Sequence, residues 1–164
     1  MTKPVLQALL LADRVYQDKG TGKHVISGVF SELFFQPLDE SPEASVPLEP
    51  RAARSIQIPL AFGHVSGSPW AYISLTEVRG EMRFELRYVD LNDNVTLFKM
   101  NFGVRSDDPL KTFEIVLPLP MLPLPLNAPA DERHRTCALE LLCDDELVGS
   151  HRVSVRPYEP KGGP

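Results

Sequence analysis

The run MRFELRY, Met82 to Tyr88, alternates without a break: Met82, Phe84, Leu86 and Tyr88 are apolar, and Arg83, Glu85 and Arg87 stand between them. A side-chain period of two belongs to an extended strand with one dry face and one wet face, and it leaves a helix no apolar stripe to bury. The rest of the chain repeats the theme. Val5 to Tyr16 is followed by the glycine-rich turn DKGTGK and then by HVISGVFSELFF, which reads as a hairpin. Ile56, Ile58 and Leu60 share one parity within Arg54 to Val65, SGSP turns the chain, and Trp70 to Val78 is strand-like again. LNDN leads into VTLFKMNFGV, SDDP ends it, and KTFEIVLPL alternates Phe113, Ile115 and Leu117. The last element, TCALELLCDDELVGSHRVSV, is a hairpin with Asp144 and Asp145 at its turn. Eight or nine strands result, with no amphipathic helix to cross between parallel strands. The expected fold class is therefore all-β, an antiparallel β-sandwich.

A chain of 164 residues fits one such domain, and 43% apolar with 24% charged residues is ordinary for a packed core and a wet surface. Residues 1–156 are expected to form that single domain. Gln36 to Ala53, with four prolines and four acidic residues, reads as a polar loop, and 157–164 as a flexible tail. A net charge of −5 gives no electrostatic reason to bind nucleic acid or an anionic membrane. The opening MTKPVLQALLLADRVY lacks the small-residue cleavage site of a signal peptide and the length of a membrane span, so a cytoplasmic location is expected.

The stretch LPLPMLPLPL, Leu117 to Leu126, is the exception to alternation. Its four prolines exclude a helix or a central strand. As a polyproline arm for SH3-like readers it lacks a nearby cation, since Lys111 and Arg133 lie well outside it, and it would expose a large apolar patch. As the chain's own crossing between sheets it can cap the core with its leucines. That reading predicts Leu117 at a strand end and at least two of Leu119, Leu122 and Leu124 buried.

Several motifs, in this order, resemble a bacterial family of small uncharacterised domains: A-D-x-V-x-x-D (Ala12, Asp13, Val15, Asp18), T-G-K (Thr21 to Lys23), I-x-G-x-F (Ile26, Gly28, Phe30), the central strand Leu86 to Asp90, a proline-rich crossing, and a final hairpin carrying Asp144, Asp145, Gly149 and Ser150. The resemblance implies an immunoglobulin-like or C2-like sandwich and transfers no activity. Many sandwiches tie their late crossing to the sheet with a tyrosine corner. Arg135-Thr136-Cys137 stands there instead, so the crossing must be held in another way.

Candidate chemistry is sparse. DLNDN, Asp90 to Asn94, resembles a cadherin calcium linker, but Asn and Asp also make a good hairpin turn. Asp13, Asp18, Asp107-Asp108 and Asp144-Asp145 fall near strand ends, and a calcium cluster would need several of them at one end of the sandwich. Cys137 and Cys143, six apart, are expected to be reduced, and His24, His64, His134 and His151 are too scattered for zinc. His134 and Cys137 fall on opposite faces of a strand, and His151 could neighbour Cys143 across the final hairpin. No catalytic, cofactor or metal site is assigned, and an enzyme is not expected. Trp70, Tyr72, Phe34 and Phe35 are the residues an interaction surface would use. Adjacent Phe34 and Phe35 point to opposite faces of any strand, so one of them needs cover from the Gln36 to Ala53 loop or from a partner. The expectation is a non-enzymatic interaction or structural module with a protein partner; the alternative is a C2-like module dependent on calcium or lipid.

Overall fold

A computed structural model describes residues 3–35, 56–60, 63–66, 68–122 and 134–157. Eleven strands fill them: β1 (Val5–Gln17), β2 (His24–Val29), β3 (Glu32–Phe35), β4 (Ile56–Leu60), β5 (Gly63–Ser66), β6 (Trp70–Thr76), β7 (Gly80–Asp90), β8 (Val95–Ser106), β9 (Phe113–Pro118), β10 (Arg135–Cys143) and β11 (Glu146–Pro157). No helix occurs among the described residues. The count exceeds nine because two runs that look continuous in sequence are each divided: HVISGVFSELFF into β2 and β3, and Arg54 to Val65 into β4 and β5.

Two sheets result, of order β2-β1-β6-β9 and β5-β4-β3-β11-β10-β7-β8. Every pairing is antiparallel except β3 against β11, where Leu33 lies beside Val155. The parallel pair follows from the break at Phe30 and Ser31, where the chain leaves the first sheet for the second; Ser154 N donates to Ser31 O at 2.8 Å there. β11 runs on through Pro157, one residue into the expected tail.

The core lies between the sheets. Leu9, Leu11, Ala71, Ile73 and Leu75 face it from one side, and Leu33, Phe84, Leu86, Tyr88, Leu139, Leu141, Val153 and Val155 from the other. In β7 the alternation holds as expected: Met82, Phe84, Leu86 and Tyr88 are buried, while Arg83 is exposed and Glu85 and Arg87 are partly so. Phe84 stacks on Phe102 of β8 with centroids 5.3 Å apart, and Tyr88 on Phe98 at 6.0 Å. Cys137 and Cys143 are free and buried in this core, and burial pushes the Cys137 thiol up to about 11. Leu33 takes the core position in β3 and Phe34 is half-buried, while the side chain of Phe35 and the loop to Ala53 lie outside the described residues.

β9 belongs to the four-stranded sheet and β10 to the seven-stranded one, so the chain passes between sheets after Pro118. Leu119 and Leu122 are each 2% exposed and belong to the core cluster, and Leu119 N donates to Pro69 O at 2.9 Å. Leu119 and Leu122 are thus core material, while Pro118, Pro120 and Met121 between and beside them are exposed; Pro123 to Leu126, with Leu124, lies outside the described residues. Leu122→Asp is expected to lower stability by more than about 2 kcal/mol, because it places an unpaired charge in an apolar site. An unchanged urea midpoint would return the stretch to the role of an arm.

Candidate functional site

The motifs that looked most like chemistry turn out to shape the backbone. In the β1–β2 turn, Asp18 Oδ1 accepts from Gly20 N at 3.0 Å and Asp18 Oδ2 from Thr21 Oγ1 at 2.6 Å, and Gly22 takes φ +71. The Thr21 bond holds the Asp18 carboxyl below its usual range. Asp13 falls opposite Gly28, which has φ +68; a Cβ at Gly28 would overlap the Asp13 carboxylate. Burial raises the Asp13 pKa. Asp144 and Asp145, at φ 47 and 64, form the two-residue turn that joins β10 to β11. Gly149 leaves room for Leu6, whose side chain a Cβ would meet, so the G-S pair marks a close approach of β11 to β1. Ser106 Oγ and Asp108 tie the turn after β8, with Leu110 N donating to Asp108 Oδ1 at 2.9 Å.

DLNDN is likewise occupied, by a cation from the protein itself. The Arg135 guanidinium binds the carboxylates of Asp90 and Asp93, and the Arg135 and Asp90 side chains are only 5% and 2% exposed. Asn92 N donates to Asp90 Oδ1 at 3.0 Å, Thr136 N to Asn92 Oδ1 at 2.9 Å, and Leu91 N to Thr136 O at 3.0 Å. An arginine at the start of β10 therefore does what a tyrosine corner does elsewhere: it locks the end of the crossing to the β7–β8 turn. The Asp90 and Asp144 turns cannot pool their carboxylates either. Cys137 pairs with Asp90 and Cys143 with Phe84, so the Asp90 and Asp144 turns lie at opposite ends of β10, about 20 Å apart. No group of three or more His, Cys, Asp or Glu side chains among the described residues could hold a metal.

His151 does not neighbour Cys143. It pairs with Leu139, and its Nε2 lies 3.1 Å from Phe30 O, where it braces the crossing from β2 to β3. His134 is exposed while Cys137 is buried.

What the structure does gather is an apolar cluster on the outside of the four-stranded sheet. β6 is buried on both faces: Ala71, Ile73 and Leu75 point into the core, and Tyr72 points outward into a second cluster with Ala12 and Val15. Ala8, Leu10, Ile26, Trp70 and Val116 pack around that cluster and stay partly exposed. Part of the cover comes from the β1–β2 hairpin. In a flat sheet β2 and β9 would be roughly 14 Å apart, three strand spacings, yet His24 Nδ1 on β2 is 2.9 Å from Glu114 Oε2 on β9. The hairpin must therefore curl over the outer face. The turn in the ladder is at Asp13 and Gly28: beyond it Val15 joins Ala12's cluster, although their odd spacing would part them in a regular strand.

A three-residue clasp holds the curl. Tyr72 Oη donates to Glu114 Oε1, His24 bonds the other carboxylate oxygen, and the His24 ring stands edge-on to Tyr72 with centroids 6.0 Å apart. The Tyr72 hydroxyl is pushed up to about 12, first by burial and then by the Glu114 bond, and the Tyr72 and His24 bonds hold the Glu114 carboxyl below its usual range. The outer face of the seven-stranded sheet differs in kind, since it carries the ion pairs Arg87 with Glu140 at 2.8 Å, Lys99 with Glu85 at 3.3 Å, and Arg156 with Glu32 at 2.9 Å. Trp70 and Tyr72 were visible in the sequence as aromatic candidates. Their placement outside the main core was only faintly marked: Ser74 and Thr76 share the parity of Trp70 and Tyr72, while Ala71, Ile73 and Leu75 on the other parity are all apolar.

No protein-family model matches the sequence, and no curated protein is significantly similar to it. Among solved structures, two of a glycosyl hydrolase family 2 member from Bacteroides cellulosilyticus are similar over 54% of this chain, at 23% and 22% identity and a TM-score of 0.36 each. The chain spans only 12% of their length. No helix among the described residues is long and apolar enough to cross a membrane.

Proposed function

We propose that the chain is a non-enzymatic interaction module that engages a protein partner through the outer face of its four-stranded sheet. The observation that carries this reading is the contrast between the two outer faces. One is laced with ion pairs, as a solvated sheet face should be, while the other presents Leu10, Trp70 and Val116 around the Tyr72 cluster. Partly exposed aromatic and aliphatic side chains grouped on a rigid sheet are what protein interfaces use for affinity. The carboxylate motifs support the same conclusion by being spent on turns and on Arg135.

Photo-cross-linking in the native cell tests the proposal. A photoreactive residue placed at position 10 or 116 is expected to form a discrete covalent adduct with another protein, and the same probe at position 83 or 152, on the polar face, is not. Adducts of equal yield from both faces, or none from positions 10 and 116, would overturn it.

A further inference from the structure

The seven-stranded sheet ends in β8, and β8 is an unusual edge. It pairs with β7 on one side and with no described strand on the other. Natural sheets guard their edges with short strands, lysines and other charges, proline, inward-pointing charges or bulges. β8 has 12 residues and no proline. Its one bulge, opposite Tyr88 and Val89, leaves Phe98 to Ser106 in unbroken register with β7. Both of its charges, Lys99 and Arg105, are on the outer face. On the inner side Phe98, Met100, Phe102 and Val104 pack against the core and remain half-buried, so among the described residues the edge is both open and apolar.

We infer that two copies of this chain pair antiparallel through β8, with the twofold axis at Asn101. The occupant follows from the strand's own pattern, which is its own complement in one register. Centred on Asn101, Met100 meets Phe102 and Phe98 meets Val104 on the inner row, each twice, so all four half-buried side chains gain a cross-strand apolar neighbour. On the outer row Lys99 meets Gly103 and Asn101 meets itself, so no like charges are opposed. The neighbouring registers are worse. Centring on Phe102 sets Lys99 against Arg105, and centring on Met100 sets Val104 against Thr96. Registers centred between residues pair an inner side chain with an outer one and are excluded by the pleat.

Sedimentation equilibrium on the full chain tests this with a charge swap at the exposed twofold position. The wild type is expected to be a dimer. Asn101→Lys and Asn101→Glu should each oppose like charges at the axis and raise the dimer dissociation constant by about fivefold, while a one-to-one mixture should recover or exceed wild-type association. Melting curves at low concentration should stay close to wild type for Asn101→Lys, since position 101 is exposed in the single chain and stands opposite Glu85 on β7. Asn101→Glu opposes that carboxylate within one chain and should melt slightly lower at every concentration, a shift separate from the association constant. A wild type that stays monomeric, or a dimer that neither variant nor the mixture alters, would overturn the inference and leave the β8 edge to a different chain or to none. The proposed partner face on the other sheet is untouched by either substitution, so the two readings fail separately.

Discussion

Replacing Arg135 with methionine is expected to cost about 3 to 5 kcal/mol of folding stability, read as a drop in the urea midpoint at constant slope. The size follows from what is left behind rather than from what is removed. Methionine fills much of the arginine stem's volume, but the Asp90 carboxylate, 2% exposed, then stays buried without its cation. Asp93 shares the same guanidinium but is 53% exposed, so water can replace the lost partner, and Asp93→Asn should cost under about 1 kcal/mol. The asymmetry between the two aspartates is the diagnostic. If Arg135→Met cost as little as Asp93→Asn, the arginine corner would be a surface ornament and the end of the crossing would be held by the Asn92 and Thr136 backbone bonds alone. Pairing Arg135→Met with Asp90→Leu removes both charges and should recover much of the loss, as replacement of a whole buried pair often does.

That ion pair also shows where reading the sequence runs out. Asp90 was legible as a turn aspartate and Arg135 as the residue in place of a tyrosine, but 45 positions separate them, and nothing local says that one answers the other. Features written in adjacent residues were readable: the period of two in β7, the Asp18 to Lys23 turn with its glycine, the Asp144-Asp145 turn, and the exclusion of helix by the prolines after Leu117. Features that depend on which sheet a strand joins were not. HVISGVFSELFF is apolar on both sides of Phe30 and Ser31, so its division between two sheets leaves no compositional mark. The outer cluster around Tyr72 was faintly marked at best, since Trp70 and Tyr72 make the outward parity of β6 as bulky as the inward one and only Ser74 and Thr76 set it apart. The curl of the β1–β2 hairpin had a visible signal in Asp13 and Gly28, but only their register shows that the glycine makes room for the carboxylate.

The neighbours Phe84 and Glu85 should respond to the same truncation in opposite ways, and together they test whether the two-residue period of β7 governs the energetics as well as the geometry. Phe84 is 2% exposed and stacks on Phe102 with the rings 12° from parallel, in the core between the two sheets. Phe84→Ala removes the ring and leaves a space that these strands cannot close, since β7 is fixed by β10 on one side and β8 on the other. The expected cost is about 3 to 5 kcal/mol. Glu85 points to the opposite face, where its contact is a solvent-screened ion pair with Lys99 at 3.3 Å, and Lys99 itself is 63% exposed. Glu85→Ala should therefore cost under about 0.5 kcal/mol. Chemical denaturation of both variants at one pH measures the difference directly. Equal losses would mean that β7 is not a one-faced strand in solution, and with it would fall both the core assigned to the seven-stranded sheet and the inward row of β8 that packs against it.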